Sequence, residues 1–206
     1  MSGANVTYQG VTIGTYAGGS SGSNLVITFN ASSSPTAAQA LIRNITYQNT
    51  DTGAPTTGAR TVRFALTDGD GGTSANHDTT VTVSGVNDSP TGSVTINDTT
   101  PTETQALVGI PQFSDADGMT TSVLVYQWQQ ANAVGVGGGA AGFANIAGAT
   151  SAQFTPGAAQ VNRELRLVIT YVDDQGFTNQ VISAVTTVTG DFIAANGAAQ
   201  NLTGNA

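Results

Sequence analysis

Apolar and polar residues alternate with a period of two along most of this chain, the pattern of half-buried β-strands. Val6, Tyr8, Val11, Ile13 and Tyr16 carry it first, then Leu25-Val26-Ile27-Thr28-Phe29, with a turn at Gly18-Gly19-Ser20-Ser21-Gly22 between them. Ser34-Pro35 introduces Ala37-Ala38-Gln39-Ala40-Leu41-Ile42-Arg43, where the pattern predicts a short helix. Ser34 suits its N-cap and Pro35 its first helical position. Strands are expected at residues 45–47, 61–66 and 79–86, then at 93–97, 105–108, 123–129, 165–171 and 181–188. Trp128, the only tryptophan, falls mid-strand and reads as a core plug between two sheets. Each half thus holds about seven short strands at the spacing of a sandwich. Helices of the kind a parallel α/β fold needs between its strands are missing. The fold class is all-β: two tandem antiparallel β-sandwiches with one short helix in the first.

Composition agrees. Glycine is abundant at 26 residues and charged residues are 9% of the chain, which suits short strands and tight turns and disfavours helices. A net charge of −8 argues against nucleic acid and anionic membranes as partners and favours cations. Cysteine is absent, so disulfides are excluded as stiffeners. No apolar run approaches the roughly 20 residues of a membrane span, so membrane insertion is not expected. The opening Met1-Ser2-Gly3 leads straight into strand-like sequence, without the pattern of a signal peptide.

Gly85-Val86-Asn87-Asp88-Ser89-Pro90 lies between two alternating strands. Pro90 fixes its own φ and biases Ser89 toward an extended conformation, while Asn87 and Asp88 offer side-chain oxygens. The stretch reads as a stiff joint with oxygens placed for a hard cation, or as an ordinary Asn-Asp turn. Asp68-Gly69-Asp70, Asp115-Ala116-Asp117-Gly118 and Asp173-Asp174-Gln175-Gly176 follow strands and admit the same two readings.

Three passages carry a family resemblance. Residues 61–90, TVRFALTDGDGGTS followed by VTVSGVNDSP, resemble the end of a cadherin-like repeat of very large bacterial surface proteins. Residues 92–188, with FSDADG, YQWQ, ANIAGATSAQFTP and LRLVITYVDDQG, are similar to an immunoglobulin-like repeat of the same multidomain proteins. The tail from Asp191 through Ala199-Gln200-Asn201-Leu202-Thr203-Gly204 is similar to the lead-in of repeats-in-toxin (RTX) calcium-binding nonapeptides. The resemblance implies a cadherin-like sandwich over 1–88, an immunoglobulin-like sandwich over 89–190 and a tail over 191–206 leading toward RTX-type repeats. Relative to that repeat type the first domain begins late, so it is expected to be incomplete at its N-terminus.

The resemblance also implies calcium at domain joints. Asn87 and Asp88 match the linker Asn-Asp, Asp115 and Asp117 the Asp-x-Asp of the following domain, and Asp174 its late Asp-x-Gly. Asp68 and Asp70 match the same late position of the first domain and would form half a site at its far end. The first domain contains no glutamate, so the glutamates that cadherins supply from the preceding domain are missing and one joint ion is expected. Calcium takes six to eight oxygens, which carboxylates, carbonyls and water supply.

Catalysis has little support. His77 is the single histidine and lies in a polar stretch with no marked nucleophile. One histidine and no cysteine argue against zinc. Glu103 and Glu164 do not suggest a glycosidase pair. Lysine is absent, which excludes a phosphate-loop lysine and a Lys–Asn crosslink. Tyr8, Tyr16, Tyr47, Tyr126, Tyr171 and Trp128 read as core or cross-strand aromatics before they read as a sugar platform.

The expectation is a non-enzymatic extracellular module of a bacterial surface stalk or filament, stiffened by calcium, with neighbouring domains of the same large protein as partners. A glycan- or surface-binding module and a self-assembling subunit joined by strand donation, with 191–206 as donor, are the alternatives. The extracellular bacterial-surface location rests on the resemblance and on an acidic composition suited to millimolar calcium.

Overall fold

The computed structural model of the chain describes residues 4–132 and 142–192. The sequence pattern also predicts a Gly/Ala loop at 135–142; all but its last residue, and the tail from 193 onward, lie outside the described residues. The protein is all-β with one short helix, and its sheets are antiparallel. It divides into two compact units, one ending at Thr50 and the next beginning at Asp51.

The first unit is a three-stranded sheet, β1 (Ala4–Tyr8), β2 (Val11–Ala17) and β3 (Val26–Phe29), followed by α1 (Pro35–Ile42). Gln9 and Gly10 both have positive φ, 50° and 82°, the signature of the mirror-image turn that matches strand twist in a two-residue hairpin. Helix α1 starts as the sequence predicts. Ser34 Oγ accepts the amide of Ala37 at 3.2 Å and Pro35 occupies the first turn. Ile13 and Ala37 are the buried hydrophobic residues of this unit. The strand expected at 45–47 does not form. The helix end continues as turns, with Asn44 N–H donating to Leu41 O and Ile45 N–H to Ile42 O, so these amides cannot enter a ladder. The described residues of the first half hold five strands rather than about seven.

The second unit begins with a hairpin, β4 (Gly58–Phe64) and β5 (His77–Val83), in register from Gly58↔Val83 to Phe64↔His77. A sandwich follows, made of β6 (Thr91–Ile96), β7 (Leu107–Ser114), β8 (Val125–Ala131), β9 (Phe143–Asn145), β10 (Gln153–Phe154), β11 (Leu165–Val172) and β12 (Thr178–Ile182). One sheet runs β10-β7-β6 and the other β12-β11-β8-β9. Alternation along β11 turns Leu165, Leu167, Ile169 and Tyr171 inward, all at most 1% exposed. They pack with Val94, Ile96, Leu107 and Trp128 in the core. Trp128 fills the space between the sheets, its Nε1–H donating to Ser151 O at 3.0 Å and its ring 5.6 Å from that of Phe154. Gly109 on β7 permits this close packing, since a Cβ there would lie 2.0 Å from Leu167 Cδ2.

The strand expected at 181–188 instead ends at Ile182. Beyond it, hydroxyls replace carbonyls as acceptors: Leu167 N–H donates to Ser183 Oγ at 2.9 Å and Leu165 N–H to Thr186 Oγ1 at 3.0 Å. Serine and threonine hydroxyls compete in this way with the regular ladder. The strand expected over 79–86 stops at Val83, which pairs with Gly58, the first residue of β4; beyond it Gly85 lies against the Asp173–Phe177 turn, where a Cβ would approach Gln175 Oε1 to 2.9 Å.

Leu167→Ala, which empties the centre of the sandwich, is expected to cost about 2–5 kcal/mol. Ser34→Ala, which removes only a helix cap, is expected to cost about 0.5–2 kcal/mol. Denaturant unfolding followed by Trp128 fluorescence checks the first and far-ultraviolet circular dichroism the second; equal effects would contradict this placement of the core.

Candidate metal centre

Strands β7 and β11 belong to opposite sheets, and their C-terminal turns meet at one end of the sandwich. After Ser114 the chain turns through Asp115, Ala116, Asp117 and Gly118. Gly118 N–H donates to Asp115 O at 3.2 Å with φ +87°, and Asp115 Oδ1 accepts the amide of Asp117 at 3.0 Å. After Val172 the chain turns through Asp173 to Gly176 (φ +92°), and Asp173 Oδ1 accepts the amides of Gln175 and Phe177, each at 2.9 Å. Asp174 N–H donates to Gly118 O at 3.1 Å and joins the two turns.

This arrangement gathers three carboxylates. One oxygen from each of Asp115, Asp117 and Asp173 lies within 4.8 Å of the others. Asp117 is 0% and Asp173 4% exposed. Among the described residues no arginine or histidine is ion-paired with any of the three. At such separations like charges repel strongly, and burial raises the cost of each. Most of the carboxylate oxygens are tied down. Tyr171 O–H, stacked by its ring on Phe113, donates to Asp115 Oδ2, and Asn179 Nδ2 donates to Asp173 Oδ2 at 2.8 Å. Burial, and then the Asp115 carboxylate, push the Tyr171 hydroxyl above its usual range, so it remains a donor. Asp117 Oδ2 accepts the Asp88 amide at 2.6 Å. Among the described residues, Asp117 Oδ1, though buried, has no hydrogen-bond donor, and neither has the buried Gln175 Oε1. A buried acceptor without a donor is rare and costly. The donor set is all oxygen, so the chemistry it fits is that of a hard cation.

The linker is fastened to this cluster. Asp88 contributes its amide to Asp117, and Asn87 Nδ2 donates to Asn179 Oδ1 at 3.2 Å, whose own amide donates to Asp173. The 51–54 loop also approaches it. Asp51 Oδ1 accepts the Ala54 amide at 3.1 Å, and Gly53 lies against Ala116, 3.5 Å from its carbonyl oxygen to an ideal Cβ.

Of the residues expected to meet, Asp115 and Asp117 do so, and Asn87 and Asp88 bond to the cluster and its support. Asp174 points elsewhere. Its Oδ2 accepts the amide and hydroxyl of Thr120 at 2.9 and 2.7 Å, and its Oδ1 those of Thr121 at 3.0 and 2.8 Å. Asp173 takes the place expected for Asp174. The signal was in the alternation: with Tyr171 inward and Val172 outward, the next inward position is 173. Asp68 and Asp70 lie in the β4–β5 loop, where Asp68 Oδ1 accepts the amides of Asp70 and Gly72 at 3.2 and 2.8 Å. Hydrogen bonding from Asp70 holds the Asp68 carboxyl below its usual range. His77 opens β5 on the exposed surface.

No protein-family model matches the chain, and no curated protein matches it significantly.

The hydroxyl of Thr120, followed by the neighbouring amides and the Thr121 hydroxyl, holds the Asp174 carboxyl far below the usual carboxylate range. Asp174 therefore stabilises the fold fully above its unfolded pKa of about 3.9 and loses that contribution as the pH falls toward the depressed folded value. Asp174→Asn is expected to flatten the acid limb of a plot of unfolding midpoint against pH below about pH 4. An unchanged limb would show that the Thr120 and Thr121 bonds do not favour the charged form.

Proposed function

We propose that this chain is a non-enzymatic structural and adhesive module of an extracellular bacterial surface stalk or filament, in which calcium held by Asp115, Asp117 and Asp173 fastens the 85–90 linker to the sandwich that follows. The observation that carries the reading is Asp117. It is fully buried, one carboxylate oxygen is held by the linker amide of Asp88, and the other has no donor among the described residues. A divalent cation beside that oxygen would offset two of the three carboxylate charges and lock the residue that grips the linker. The oxygen-only donor set and the resemblance of residues 61–188 to repeats of large bacterial surface proteins favour calcium among hard cations. The mechanism is mechanical: the ion stabilises the turn end of the sandwich and restricts the linker that leads into it.

Binding to the folded state alone raises stability by about 2.7 kcal/mol when calcium is at 100 times its dissociation constant. Thermal unfolding in EDTA and across a calcium titration is expected to show a rising midpoint, and Asp117→Asn is expected to abolish the rise. In EDTA the same substitution removes one of three repelling charges, so Asp117→Asn is expected to match or exceed the unsubstituted chain. A midpoint indifferent to calcium, or an Asp117→Asn chain that still responds, would refute the reading.

A further inference from the structure

Two buried side-chain atoms among the described residues have no hydrogen-bond partner, Asp117 Oδ1 and Gln175 Oε1. Both belong to the same end of the sandwich, Asp117 to the turn after β7 and Gln175 to the turn after β11. The Asp174 amide joins these turns by donating to Gly118 O at 3.1 Å. Both residues also touch the linker. Asp117 Oδ2 accepts the amide of Asp88, while an ideal Cβ on Gly85 would lie 2.9 Å from Gln175 Oε1 and 3.6 Å from its Cδ. Gly85 has no positive φ, so its backbone does not demand glycine. What a larger residue would disturb there is the space against the Gln175 carboxamide.

A buried acceptor without a donor is the mark of a site whose partner is a water or an ion. The root of the Gln175 side chain is already on the acidic cluster, since its N–H donates to Asp173 Oδ1 at 2.9 Å. The cluster in turn is short of open oxygens. Both oxygens of Asp115, both of Asp173 and one of Asp117 already accept hydrogen bonds, which leaves Asp117 Oδ1. Calcium takes six to eight oxygens, and glutamine carbonyls are among those it uses. An amide adds an oxygen without adding a fourth negative charge to three that already repel. In the family resemblance Gln175 is the unassigned middle residue of Asp174-Gln175-Gly176.

We propose, resting on calcium binding by Asp115, Asp117 and Asp173, that Gln175 is a fourth ligand of the same ion through its carboxamide oxygen. Coordination then fixes the carboxamide against Gly85 as it fixes Asp117 against Asp88, so the ion orders the linker at two points.

Calorimetric titration of calcium into the EDTA-stripped full chain tests this with Gln175→Leu and Gln175→Glu. Gln175→Leu is expected to weaken binding by about 10–100-fold, the loss that even supporting residues of metal sites cause. Its unfolding midpoint in EDTA is expected not to fall, because the substitution removes an acceptor that has no donor. Gln175→Glu is expected to keep or raise the original affinity while lowering the midpoint in EDTA through added repulsion. Europium(III), another hard cation, reports coordination directly: its luminescence decay in light and heavy water counts bound waters, and Gln175→Leu is expected to gain one. An unsubstituted chain that binds no calcium would overturn the proposed function and this inference with it. If the unsubstituted chain binds and Gln175→Leu binds as tightly, only the fourth ligand is overturned. Weaker binding by Gln175→Leu with unchanged hydration also overturns it and makes Gln175 a support of the turn.

Discussion

Three carboxylates packed together at the end of a sandwich set the terms for everything around them. Two are buried; among the described residues none is ion-paired, and the innermost has an oxygen with no donor. Hydrogen bonds to the charged form offset part of the repulsion. Asp173 receives two amides and an asparagine, Asp115 an amide and a tyrosine hydroxyl, and Asp117 a single amide. The deficit falls on Asp117, the residue closest to the linker. A site that is least satisfied where the next segment of chain attaches is suited to coupling cation binding to the order of that segment.

The linker contributes little apolar burial to this attachment. Val86 is 79% exposed. What holds it are polar links, from Asn87 through Asn179 to Asp173 and from Asp88 directly to Asp117. Such bonds are strong when the carboxylates stay charged and in place, and weak when repulsion lets them move. The sandwich core is separate in kind. Leu107, Leu165, Leu167, Ile169 and Trp128 are fully buried and owe nothing to a cation. Loss of the ion is therefore expected to loosen the turn end and the linker before it threatens the core.

The sequence made the strand pattern legible because alternation is a local signal, and β11 shows it with every second residue inward. The cap at Ser34 and the core position of Trp128 were legible for the same reason. The strand expected at 45–47 is absent where the turns that end α1 take the amides of Asn44 and Ile45, which depends on where α1 ends and not on the β-propensity of Ile45 and Tyr47. The early end of β12 depends on hydroxyls of Ser183 and Thr186 finding amides across the sheet, a tertiary event. At the candidate site, the resemblance singled out Asp115 and Asp117, and the structure gathers both with Asp173. The pair Asp173-Asp174 was harder: both belong to one turn, and only the inward or outward sense of the preceding strand separates the cluster member from the partner of Thr120 and Thr121.

The claim that this end of the sandwich is built for a cation is tested most directly by calorimetric titration of calcium into the EDTA-stripped full chain, alongside Asp117→Asn and Asp173→Asn. The account predicts one ion per chain at this centre, with binding lost in both variants while Asp68→Asn leaves it unchanged. No heat of binding at millimolar calcium, or binding that survives both substitutions, would contradict it.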